Sequence, residues 1–243
     1  RTAGWRASLR VARLGAMPRD AKLHELILHH DPQELARQLT LSQYSLHAQI
    51  TVRDVYQYAL PPPKGDKEDS DPTDGPGNPG GVTTIQDAVR FFNDISMWVA
   101  SSVVSQPSLL VRAKALHSLI DVAFDCFQLR NFSSALAILS GLAMPSVNRL
   151  KFTFALLPRI AHEKLQQLRE RLSYRRNFKQ YREDLECTGA PAVVHVGVLF
   201  RDVLYRHDSI PSLYEGRLIN MQKWLTLYNL VEKSHLRYVR EDM

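Results

Sequence analysis

A chain of 243 residues with 44% hydrophobic and 23% charged residues can bury a core of its own, which excludes a disordered or fibrous protein. No apolar run reaches the roughly 18 residues of a membrane-spanning helix, and two distant cysteines, Cys126 and Cys187, supply neither a disulfide framework nor a zinc site. The formal charge of +6 suits an acidic partner or membrane surface, but the basic residues alternate with acids, as in KLQQLRERLSYRRNFKQYRED, and no recognition motif points to nucleic acid. Cysteine usage favours a reducing, intracellular setting. The chain opens on Arg1 without an apolar leader, and reads as a piece of a longer protein with no visible targeting signal.

In chain order, HELILH (His24 to His29) has the flavour of a zinc-protease helix, but its histidines are five apart rather than four, so the second ring turns off the shared face. Asp31-Pro32 is a cap followed by proline at the first helical position, and Leu35, Leu39 and Leu41 continue the helix. PPPKGDKEDSDPTDGPGNPGG, Pro61 to Gly81, has no apolar anchor and is expected to be a disordered surface loop within one domain spanning 1–243. From about Thr84 the stripe Ala88, Phe91, Phe92, Ile95, Trp98 and Val99 predicts a helix. Leu110 to Leu129 predicts another, buried on more than one side. Asn131 caps a short apolar helix over Ala135 to Leu142, and a long charged helix covers about Pro158 to Ser173. AVVHVGVLF, Ala192 to Phe200, is β-branched but isolated, and is expected to be a buried segment leading into a helix.

The period of three to four makes the fold all-α. No Gly-x-Ser-x-Gly elbow, phosphate loop or metal-ligand cluster stands out, so a role in binding gains by elimination. FRDVLYRHDSIP, Phe200 to Pro211, places Leu204 and Asp208 on one helical face: either a core leucine beside a surface acid, or an exposed tip.

Four segments in order carry a resemblance: DPQELARQLTLSQYSLHAQI (Asp31 to Ile50), FFNDISMWVA (Phe91 to Ala100), LRNFSSALAILSGLAMPSVNRLK (Leu129 to Lys151) and RNFKQYRE (Arg176 to Glu183). Together they resemble the catalytic domain of the Ras-family guanine-nucleotide exchange factors, the RasGEF family, over Asp31 to about His235. The resemblance implies a single bowl-like helical domain with a protruding helical hairpin over residues 197–235. It implies a protein that opens the nucleotide site of a Ras-family small GTPase, Ras or Rap first, and promotes GDP release by exchange rather than covalent chemistry. No cofactor or metal of its own is implied. The setting is cytoplasmic, with recruitment to the membrane where lipidated GTPases reside.

Residue by residue, the family's wedge positions fall on Leu204 and Asp208, with Arg201 beside them. Its GTPase-gripping positions fall on Arg90, Asn93, Leu136, Ser140, Ala143, Asn148, Asn177 and Lys179. Leu136 reads equally well as core, and Arg90 and Lys179 as solvated charges; Asn131 and Arg149 read as a cap and a tether. Five positions depart from the family's pattern: Asp208 replaces glutamate, Leu60 a tryptophan, Val194-His195 a Pro-aromatic pair, and Ile210 a polar residue. The alternative is a weak or inactive interaction module of the same fold.

Overall fold

The computed structural model describes residues 27–60 and 79–233. His24, most of the Pro61–Gly81 segment and the end of the second hairpin arm lie outside the described residues. The helices are α1 (Pro32–His47), α2 (Val52–Ala59), α3 (Pro79–Val104), α4 (Leu109–Gln128), α5 (Phe132–Ala143), α6 (Pro145–Asn148), α7 (Lys151–Ala155), α8 (Arg159–Arg171), α9 (Arg175–Thr188), α10 (Val196–Ser209) and α11 (Met221–Val231). Strands β1 (Leu213–Tyr214) and β2 (Leu218–Ile219) form a two-stranded antiparallel ribbon between α10 and α11. The fold is all-α, and no helix among the described residues is long and apolar enough to cross a membrane.

Local chemistry sets the helix starts. Asp31 accepts from the Gln33 N–H with Pro32 behind it, Thr51 and Asp54 form a reciprocal capping box on α2, and the Asn131 side chain accepts from the Ser134 N–H. The helix predicted from about Thr84 begins earlier, at Pro79, where the fixed proline φ suits a first helical position.

Two apolar clusters make the interior. The larger packs Leu35 and Leu39 of α1, Phe91, Ile95 and Val99 of α3, and Leu116, Leu119 and Ile120 of α4 against α5 and α8. Helix α4 is buried on several sides, as its breadth of apolar residues predicts. Helices α3 and α5 approach so closely that a Cβ on Gly141 would sit 2.5 Å from the Ser96 carbonyl oxygen, while Ser96 Oγ donates to the Ala137 carbonyl at 2.9 Å. The smaller cluster joins Val55 and Ala59 of α2, Ile85 and Ala88 of α3, Leu199 and Val203 of α10, and Leu227 and Val231 of α11. Helix α3 thus runs through both clusters and ties the hairpin root to the main body. Ala192–Val194 is buried, with Val193 bridging Asn131 in parallel, and leads into α10 as expected.

Candidate functional site: a two-helix hairpin beside an open bowl

Helix α10 is amphipathic in a way that separates root from tip. Val196, Leu199, Phe200 and Val203 are buried, whereas Arg201, Leu204, Tyr205 and Asp208 face outward. Leu204 is 41% exposed and the Asp208 side chain 79%. The residues lie four apart, so apolar group and carboxylate share one free face. His207 Nδ1 stands 3.2 Å from Asp208 Oδ1.

The second arm stiffens the first. Asn220 caps α11 and its Nδ2 donates to the Pro211 carbonyl at 2.8 Å, while the buried Lys223 donates through Nζ to Ser212 Oγ at 2.7 Å. The chain between the arms is therefore stapled by side chains as well as by the β1–β2 ribbon. At the root, Phe200 packs on Tyr58 with ring centroids 4.7 Å apart, and Trp224 meets Tyr56 edge-on at 6.5 Å. Burial, with Tyr228 adding to it, pushes the Tyr56 phenol up to about 12.

His195 sits at the N-terminus of α10, and its ring packs at 4.9 Å from Phe92. Its Nδ1 is sealed from solvent without a hydrogen-bond partner. Enclosure, reinforced by the Arg201 charge, lowers its pKa from 6.5 to about 4, which keeps the ring neutral.

Beside the hairpin lies an open concavity of about 920 Å³ whose floor is Leu136, Ser140 and Ala143 of α5 and whose wall carries Arg169, Arg176 and Lys179. Four predicted positions, Leu136, Ser140, Ala143 and Lys179, are gathered here. Ser140 Oγ is turned back to donate to the Leu136 carbonyl at 2.8 Å, and Lys179 pairs with Glu183 at 3.5 Å. Arg90 and Asn93 are exposed on α3, Arg90 held by Asp87 at 3.0 Å, and Asn148 is exposed at the end of α6. Those three do not line the concavity. Asn131 is a buried cap whose Nδ2 donates to Thr40 Oγ1 at 3.1 Å, and Arg149 is exposed.

Two features around the bowl carry no signal in the sequence. The first is the basic wall: Arg169 and Arg176 line the bowl with no acidic partner within ion-pair distance among the described residues. The alternation of charges in the sequence hid them: Glu170 and Glu183 line the same concavity, but Glu170 accepts from Gln166 and Glu183 pairs with Lys179. The second is a left-handed turn. Arg176, Asn177 and Phe178 have φ of 49°, 59° and 57°, a region that costs a non-glycine residue roughly 1–2 kcal/mol and an asparagine less. The Arg201 guanidinium donates to Asn177 Oδ1, so these two predicted site residues meet each other.

The described residues thus present a hairpin with a leucine and a carboxylate on its free face beside an open basin. The RasGEF domain model matches residues 34–225, and the chain belongs to that family. It is similar to Ras guanine nucleotide exchange factor K of Dictyostelium discoideum (29% identical over 203 residues, 84% of this chain and 12% of that protein). It is also similar to RAS guanyl-releasing protein 1 of Xenopus tropicalis (32% over 213 residues, 87% and 25%) and to Ras guanine nucleotide exchange factor J of Dictyostelium discoideum (31% over 202 residues, 83% and 23%). The chain spans a quarter or less of the length of these relatives.

Proposed function

We propose that this domain is a guanine-nucleotide exchange factor that expels GDP from a Ras-family small GTPase, Ras or Rap first, at a membrane to which other parts of the protein recruit it. The observation that carries the reading is the outward pairing of Leu204 and Asp208 on a hairpin rooted in its own apolar cluster beside the bowl. A small GTPase holds its nucleotide through phosphate-loop amides, a lysine and Mg²⁺. Leu204, inserted where the metal and phosphate sit, offers no ligand to either. The Asp208 carboxylate repels phosphate and competes for the hydroxyl that would coordinate the metal.

Nothing covalent happens in this scheme. The domain accelerates release by binding the nucleotide-free GTPase better than the loaded one, since only differential affinity shifts that equilibrium. The apolar floor around Leu136 and Ala143 grips a mobile segment of the GTPase, and the basic wall favours acidic residues beside it. Arg90, Asn93 and Asn148, exposed outside the concavity, extend the same grip.

The test is release of a fluorescent GDP analogue from Ras, Rap and Ral proteins with and without the domain. Release that Leu204→Ala and Asp208→Ala abolish supports the proposal. A second reading, binding without exchange, is favoured by the short acid at 208 and by the Arg201–Asn177 bond, which occupies two family contact positions internally. A stable complex with unchanged release would establish that reading instead.

A further inference from the structure

We propose that Arg182 is a positioning residue of the hairpin: with Arg201 it clamps α10 to the left-handed turn of α9, so that occupancy of the bowl and the angle of the wedge are mechanically linked. Its functional consequence rests on the exchange reading above, while the clamp itself rests on geometry.

The root of α10 is packed, but the side that faces α9 is not. A cavity of about 260 Å³ separates the two helices, bounded by Tyr181 and Leu185 on one side and His195, Val198 and Leu199 on the other. Apolar contact along this side is therefore incomplete, and polar groups span the gap. Arg182 Nη1 and Nη2 reach the two carboxylate oxygens of Asp202 at 2.7 and 2.8 Å, and its Nε donates to the Asn177 carbonyl at 2.9 Å. The Asp202 side chain is 15% exposed and that of Arg182 34%, so the pair is screened less than a fully exposed one. A planar guanidinium serves this two-sided task because its fork fixes direction as well as distance.

The preceding residue of α10 closes the loop. Arg201 donates to Asn177 Oδ1 and lies over the Phe178 ring at 5.1 Å. Asn177 is thereby held through both its carbonyl and its side chain, and Phe178 meets Tyr181 edge-on at 6.2 Å, whose hydroxyl accepts from the His195 N–H at 3.0 Å. Three successive left-handed residues do not sustain themselves; they persist because the surroundings over-determine them. The surroundings here are α10. The same turn presents Arg176, Phe178 and Lys179 to the bowl. A GTPase pressing on the turn thus pulls on Arg201 and Asp202, one turn or more below the tip. Asp208 lies about 9 Å further along the helix, so a tilt of about 10° at the clamp moves it by about 1.6 Å, enough to cost a positioned group on the order of 100-fold in rate.

Two measurements on the whole chain test the clamp. Nitroxides at Arg217→Cys and Gln167→Cys, in a Cys187→Ser background, report the hairpin-to-bowl distance by pulsed electron paramagnetic resonance without any GTPase. Release of fluorescent GDP at varied GTPase concentration separates kcat from KM. Arg182→Ala is expected to broaden or shift the distance distribution by about 2 Å, and to lower kcat at least about tenfold while KM stays within about threefold. Arg182→Lys recovers less than half of the loss, because it lacks the fork, and the exchanged pair Arg182→Asp with Asp202→Arg recovers part of it. If Arg182→Ala does not fold, Asp202→Asn carries the same expectations. An unchanged distance distribution overturns the clamp. So does a loss confined to KM. If wild-type protein releases nucleotide from no GTPase, the exchange reading fails and the distance distribution alone decides the clamp.

Discussion

Acidification should weaken the hairpin root through one residue, His195. Its ring packs on Phe92, its Nδ1 is sealed from solvent, and its pKa stands at about 4 rather than 6.5, by burial first and by the Arg201 charge second. As pH falls through 6.5 the unfolded chain takes up a proton that the folded chain refuses until about pH 4, so stability drops across that window at up to about 1.4 kcal/mol per pH unit. Above pH 6.5 the residue has no effect. At pH 5 the loss amounts to roughly 2 kcal/mol, and it levels off near 3 kcal/mol below pH 4. Urea unfolding of wild type and His195→Phe at pH 7.5, 6.5, 5.5 and 5.0 isolates the term, because phenylalanine keeps the stack and cannot titrate. Asp94 and Asp125, whose carboxyls burial holds above the usual range, titrate alike in both proteins and cancel in the difference. The variant should gain on wild type by about 2 kcal/mol between pH 7.5 and 5. Parallel profiles, within about 0.5 kcal/mol of one another, would show that the ring is protonated in the folded state like a solvated histidine and would refute the reasoning.

Leu204→Ala and Asp208→Ala should each slow nucleotide release at least about 30-fold, as loss of an interface anchor does, while their exposure leaves thermal stability within about 0.5 kcal/mol of wild type. Asp208→Glu, one methylene longer, should match or exceed wild-type release; a loss as deep as that of Asp208→Ala would mean that reach is not what the position supplies. Gly141→Ala forces a methyl against the Ser96 carbonyl oxygen, and after the gain in helix propensity of about 1 kcal/mol should still destabilise by about 1–2 kcal/mol in a thermal melt. Arg169→Ala with Arg176→Ala should lower the association rate with the GTPase and flatten its salt dependence, as stopped-flow at two ionic strengths would show, with kcat for release changed less than about twofold.

Local and periodic features could be read from the order of the amino acids alone. Asp31-Pro32, Asn131 and the apolar stripes from Ala88 to Val99 and from Leu116 to Phe127 specify helices whose caps and buried faces are the observed ones, because these are decided by neighbours within one or two turns. The Leu204–Asp208 face was legible for the same reason, and the four ordered motifs carried the family. The β1–β2 ribbon was overlooked although Glu215-Gly216, both at positive φ, marks its turn. Other features depend on how distant helices pack. Helices α5, α8 and α9 had to be brought together before Leu136, Arg169 and Lys179 could share one concavity. The left-handed turn at Arg176–Phe178 opposes local preference; Arg201 meets Asn177 across the α9–α10 gap, and Arg182, within α9, holds the Asn177 carbonyl while it reaches Asp202. Such pairings carry no sequence period, since the partner that makes a strained backbone affordable lies more than twenty residues away along the chain.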